Sequence, residues 1–327
     1  MSVLHRFVAA AFVVGVSMAP MGCGVGMGAT GEFDRSFDVS GHTRLEVSNS
    51  SGDVEITGSQ DGKVHVHADV KAHGIGFDDP KQRLADTLSN PGVEQKGDTI
   101  RIGKHLSSMR NITVTYRIEV PHDTEVNSTV MSGAQTIRGI RGPLTAQGAS
   151  GGIRAEKVER DTRLTTASGS LEAKDIGDDV RATSASGGIT VNNAKGEVRA
   201  NTMSGGIEVR SPGGRVEANS ASGSIEITGA TADAKAHGLS GAITLQGDPG
   251  EHGYWDLKTA SGKVRMEVPG NANFRFSAES TSGEIRTDIP IVIEEQGKHS
   301  LRAHVGNEGG RVEVRTISGE IQIGGTK

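Results

Sequence analysis

Hydrophobic and polar positions along most of this chain follow a fixed grammar. Counted from the serine of a Ser-Gly pair, apolar residues recur three, five, eight, twelve, fourteen and seventeen places on; from Ser186 they are Ile189, Val191, Ala194, Val198, Ala200 and Met203. The pair itself begins at Ser132, Ser150, Ser168, Ser186, Ser204, Ser222 and Ser240, six successive steps of eighteen, then at Ser261, Ser282 and Ser318. The second triplet of apolar slots is the first shifted by nine, so each unit reads as two similar nonapeptides. Within a triplet the first two slots are two apart, the strand period, and each half therefore predicts a short strand with one face inward and a turn to the next. All six slots are expected inside. One unit is then one coil, and like slots stack from coil to coil at about 4.8 Å. Large Ile153, Leu171, Ile189, Ile207, Ile225 and Ile243 in slot three face small Ala146, Ala182, Ala200, Ala218 and Ala236 in slot fourteen across a thin core.

Other eighteen-residue coils do not fit. Hexapeptide helices need a six-residue inward period, and calcium-binding nonapeptide rolls need an Asp where this chain has Ala155, Ala173 or Val191. The expected fold is an all-β, single-chain β-solenoid, β-helix-like, with coils of about eighteen residues, each two short strands. Leu45, Val47, Val54 and Ile56 around Ser51-Gly52, and alternating Val64, Val66, Ala68 and Val70, extend the pattern upstream. One short helix, Lys81–Leu88, follows Pro80 in an N-terminal insert, and strands follow at Thr99–Ile102 and Ile112–Val120. Counted back from the next Ser-Gly, Trp255 and Phe276 fall in slot twelve as core filling, Pro290–Asn307 is an irregular insert, and Arg311–Ile323 reads as the final coil.

Composition rules out a core of large interlocking rings and favours small-residue stacking: 47 Gly, 3% aromatic residues and a single Trp. Arg6, the apolar run Phe7–Val16 and Ala19-Pro20-Met21-Gly22 before Cys23 read as an export signal with Cys23 as lipid acceptor. The apolar run is too short to span a bilayer. Residues 1–22 are thus expected as signal peptide, 23–31 as a Gly-rich tether, 32–125 as N-terminal coils and cap, and 126–327 as repeat solenoid with C-terminal inserts. Cys23 is the only cysteine, so an intrachain disulfide is excluded. Without residues 1–22 the chain has 34 basic against 40 acidic residues, a net −6, which argues against nucleic acid as a partner.

Leu45–Gly58 (LEVSNSSGDVEITG), Tyr116–Val126 (YRIEVPHDTEV) and the recurrent Ser-Gly-x-Ile/Leu/Val together resemble the bacterial domain-of-unknown-function family labelled "putative adhesin". The resemblance implies an envelope β-solenoid with adhesion or envelope-stress roles, and brings no catalytic residues.

Three groups of residues invite a chemical reading. Gly148-Ala149-Ser150-Gly151-Gly152 has the letters of a nucleophile elbow, but that serine recurs every eighteen residues in turns without helices. His65, His67 and Asp69 share the outer face of one strand, as metal ligands or as a solvated face; the solvated reading is preferred and no metal or other cofactor is expected. The outward ladder Asp161-x-Arg163, Asp179-x-Arg181, Glu197-x-Arg199 stacks carboxylates near the ~5–5.5 Å of a retaining glycosidase pair. Each acid is expected to pair with the Arg beside it in a surface lattice. The expectation is a non-enzymatic, lipid-anchored protein of the bacterial envelope (outer membrane or periplasm), which binds an envelope protein or a glycan through such a ladder. The alternative is a polysaccharide-active β-helix enzyme that uses the acids.

Overall fold

The computed structural model describes residues 28–74, 79–103, 111–307 and 309–326. The chain forms two compact units that divide after Gly142. Both are built almost wholly of strands, and the repeat region is a β-solenoid.

In the N-terminal unit, strands Gly28–Asp38, Lys63–His73 and Ile112–Pro121 pair antiparallel, with Phe33, Ala68 and Tyr116 in register and buried. Ile112–Pro121 then runs parallel to Val54–Ser59, which pairs in turn with Gln135–Ile140. A second sheet sets Arg44–Ser51 between Glu125–Ser132 and Thr99–Ile102. The helix spans Pro80–Ser89: Asp79 accepts the Lys81 N–H at 2.9 Å as N-cap, and Pro80 occupies the first turn, where its missing N–H costs nothing. Gly28–Gly31, expected as tether, instead open the first strand, because their amides and carbonyls find a ladder on Val70–His73.

In the repeat unit each coil contributes one strand to each of two parallel sheets. Ile153, Leu171, Ile189, Ile207, Ile225 and Ile243 stand in unbroken register in one. Ala146, Leu164, Ala182, Ala200, Ala218 and Ala236 do so in the other. The slot-three side chains are all buried, each contributing about 1.5–3 kcal/mol relative to exposure.

Two features depart from the nonapeptide reading. In the first half, the residue in slot seven takes a left-handed conformation: Lys157, Asp175, Asn193 and Ser211 have φ of 56°, 55°, 58° and 50°. That kink reverses the strand parity, so slot eight (Val158, Ile176, Ala194) points inward. The second half has no such kink at slot sixteen. Alternation from slots twelve and fourteen therefore runs on, and slot sixteen is the inward one, holding buried Thr166, Ser184, Thr202 and Ser220. Slot seventeen, expected inside, faces out: Met203 is 65% and Leu239 63% exposed.

The inward hydroxyls close the coil. Ser220 Oγ donates to the Gly205 carbonyl at 2.9 Å and Thr202 Oγ1 to the Gly187 carbonyl at 3.2 Å. The glycine of each Ser-Gly is there for close stacking. A Cβ on Gly169, Gly187, Gly205 or Gly223 would stand 1.9–2.2 Å from the carbonyl oxygen of the equivalent glycine one coil earlier.

The C-terminal coils are out of sequence order. Gly310–Ser318 lies between Tyr254–Ser261 and Phe274–Ser280, and Ile321–Gly325 between Val264–Val268 and Ile285–Thr287. The last coil in sequence is thus an inserted layer. The outermost strands of that sheet are the antiparallel pair Ser300–Val305 and Val292–Gln296, so the expected irregular insert is largely a hairpin.

Candidate functional site

The reversal of slots sixteen and seventeen opens a concavity of about 710 Å³ along the repeat unit. One lip carries slot fifteen (Thr165, Thr183, Asn201, Asn219, His237) and the other slot seventeen (Ala167, Ala185, Met203, Ala221, Leu239). On the floor, the hydroxyls of Ser184, Thr202 and Ser220 are turned to the turn carbonyls. Asn219 Nδ2 donates to Asn201 Oδ1 at 2.9 Å, one rung of an amide ladder along the first lip. The sequence contained this groove, but the assumption that slot seventeen repeats slot eight hid it.

At one end of the groove His237 meets Asp256 at 3.1 Å, and Lys258 Nζ donates to the same oxygen at 2.7 Å. Burial alone would raise the Asp256 carboxyl, but the hydrogen bonds and charges of Lys258 and His237 outweigh it and hold it below the ordinary carboxylate range.

The acid and arginine ladder stands on the outer face of the same sheet, with Arg163, Arg181 and Arg199 in direct register. Its pairing differs from expectation. Only the third rung closes, Arg199 Nε donating to Glu197 at 3.0 Å. Asp179 Oδ1 instead accepts the backbone N–H of Glu197 one coil on, at 2.8 Å. Asp233 does the same for Tyr254 at 2.9 Å, so this slot caps an amide at a coil corner. Asp161 is exposed, and among the described residues Arg163 and Arg181 have no carboxylate within 4.0 Å. A cavity of about 210 Å³ lies over these two arginines, with Asp161, Asp179, Thr145 and Pro143 also on its wall.

Ser150 ends one strand and leads straight to another, Ile153–Val158, so the strand-to-helix turn of a nucleophile elbow is not formed. On the N-terminal unit, His65 bonds Ser36 and Asp61, His67 Nδ1 meets Asp34 at 2.8 Å, and Asp69 pairs with Arg117 at 3.0 Å. Glu32, opposite Asp69, joins His67 and Asp69 as three side chains whose ligand atoms lie within 4.8 Å of one another and could hold a metal ion. Sequence spacing could not find Glu32, which comes from a strand distant along the chain. Cys23 lies outside the described residues.

Residues 42–324 match the family described as Toastrack DUF4097. The chain belongs to the Toastrack DUF4097 family. Solved structures with which this Toastrack chain shares likeness include three described by their own names. A "putative cell adhesion protein" from Clostridium sporogenes is 10% identical over 91% of this chain and 100% of its own, with a TM-score of 0.21. A "putative adhesin" from Bacteroides fragilis is 12% identical over 90% and 97%, TM-score 0.32. A "putative lipid binding protein" from Parabacteroides distasonis is 14% identical over 90% and 97%, TM-score 0.43. No curated protein matches this Toastrack chain. Among its described residues, no helix is long and apolar enough to cross a membrane.

Proposed function

We propose that this chain is a non-enzymatic cell-envelope β-solenoid whose repeat unit binds an extended partner, an envelope protein or a glycan. The observation that carries this reading is the groove of slots fifteen to seventeen. It offers a polar lip of Thr, Asn and His and an apolar lip of Ala, Met and Leu on successive coils, so an extended chain meets similar contacts at about 4.8 Å steps. A catalytic pocket gathers unlike titratable groups around one point; His237 is the single titratable side chain lining this groove. Export by residues 1–22 and a lipid on Cys23 would hold the binding surface at the membrane face.

The test is crosslinking in the native envelope, with a photoreactive residue at Leu239 in the groove or at exposed Arg210 in the other sheet. Partner adducts from position 239 and not from 210 are expected. Adducts from 210 alone, or from neither, refute the groove. For the anchor, Cys23→Ser is expected to abolish lipid labelling and membrane association, and unchanged labelling removes that part of the reading.

A further inference from the structure

Arg163 and Arg181 sit in the same slot of successive coils, so their guanidinium groups start from backbones about 4.8 Å apart. Cations at that spacing repel unless an anion lies between or beside them. Elsewhere in the repeat unit strand arginines hold one: Arg154 has Glu172 at 2.6 Å, Arg265 has Glu267 at 2.6 Å, and Arg311 has Glu313 at 2.7 Å. Asp179, the nearest acid in sequence to Arg181, has one oxygen committed to the Glu197 amide. The two arginines are therefore a pair of fork-shaped donors facing the ~210 Å³ cavity with their anion position open.

That cavity corresponds to about seven waters at ~30 Å³ each, the scale of one sugar ring. Its wall is not simply basic. Asp161 is an exposed acceptor beside the arginines, and Thr145 adds a hydroxyl. A bare phosphate or a nucleic-acid backbone would meet Asp161 and Asp179 as like charges. An acidic sugar suits both halves of the wall, because it carries a carboxylate for the guanidinium groups and ring hydroxyls that donate to a carboxylate.

We propose that Arg163 and Arg181 bind the carboxylate of an acidic sugar within a polysaccharide, with Asp161 accepting from its hydroxyls. The proposal rests on the reading of the repeat unit as a binding surface and narrows its partner to an acidic glycan.

Isothermal titration of the full chain with polygalacturonate, with dextran and with inorganic phosphate tests it. Polygalacturonate binds and dextran does not. Arg163→Gln with Arg181→Gln weakens binding about ten-fold or more, the scale of losing charge-assisted hydrogen bonds, and each single variant weakens it by less. Arg265→Gln, which removes equal charge per site from a paired arginine, leaves it unchanged. Asp161→Asn weakens polygalacturonate binding while phosphate binding stays as weak or tightens. Circular dichroism and melting temperature confirm that each variant is folded. No binding of polygalacturonate, equal binding of dextran, full retention in the double variant, or an equal loss in Arg265→Gln overturns the proposal. If crosslinking from position 239 still succeeds in that case, the binding-surface reading stands and only the acidic-sugar assignment falls.

Discussion

Gly205 and Gly206 are adjacent, yet alanine is expected to destabilise strongly at the first and hardly at all at the second. A Cβ on Gly205 would lie 2.2 Å from the Gly187 oxygen, 2.6 Å from its carbonyl carbon and 3.0 Å from the Gly188 nitrogen. All three are backbone atoms of the previous coil and cannot rotate away, so the coils must part by about an ångström, the gap between these distances and an ordinary contact. Overpacking of this kind costs about 1–3 kcal/mol. Parting also stretches the Ile189 N–H to Gly206 carbonyl bond of 2.9 Å and the Ser204 N–H to Ala185 carbonyl bond of 3.1 Å, and a weakened backbone bond adds about 1 kcal/mol. With the two bonds counted, Gly205→Ala should therefore destabilise by about 3–5 kcal/mol. At Gly206 the added Cβ meets the Ser224 oxygen at 3.6 Å and its Oγ at 3.7 Å, ordinary contact, and Gly206→Ala should stay within about 0.5 kcal/mol of wild type. Urea unfolding followed by the fluorescence of Trp255, the single tryptophan and a buried one, measures both. A near-neutral Gly205→Ala, or equal losses at the two sites, would refute the stacking explanation of the Ser-Gly repeat.

Deletion of Ser186–Met203 removes one layer and joins Ala185 to Ser204 in register, costing about one coil's share of stability. Deletion of Ser186–Thr202 leaves Met203 as an extra residue and should be clearly worse in thermal melts, since a one-residue slip turns side chains to the opposite face; equal melts would undo the coil assignment. Lys157 is held at φ 56°, which a side chain adopts at a cost of about 1–2 kcal/mol. Lys157→Gly should therefore raise stability by about 0.5–1 kcal/mol after the glycine's added unfolded-state entropy, and a lowered urea midpoint would contradict the kink. The Asp256 carboxyl titrates below its unfolded value of about 3.9. Its contribution is complete above that value and lost as pH falls through the folded one. Unfolding midpoints between about pH 6 and about pH 3 should fall more steeply in wild type than in Asp256→Asn, and parallel curves would show that Lys258 and His237 do not stabilise the charged form.

Much of the solenoid is determined by sequence alone, because a coil of fixed length stacked on itself must repeat its inward residues at fixed slots. The eighteen-residue period, the buried residues in slots three, five, eight, twelve and fourteen, and the Ser-Gly corner all follow from that requirement. The helix over residues 81–88 is equally local, resting on an Asp-Pro start. Strand parity is not local in this sense. Slot eight is legible as apolar, but one left-handed residue in slot seven brings it inward; Gly139, Asp175, Asn193 and Gly229 there are types that adopt this conformation readily, whereas Lys157 and Ser211 do not announce it. From the absence of that kink in the second half follow the inward hydroxyls and the outward apolar lip at Met203 and Leu239. Coil order at the C-terminus is likewise decided by tertiary structure, since Gly310–Ser318 matches either neighbour by slot and finds its place between them through packing. The arginine ladder shows the same limit most clearly. Spacing puts Asp179 beside Arg181, but the carboxylate completes a backbone amide one coil away. Folding satisfies the half-buried amide first, because leaving it unpaired costs more than an exposed ion pair contributes.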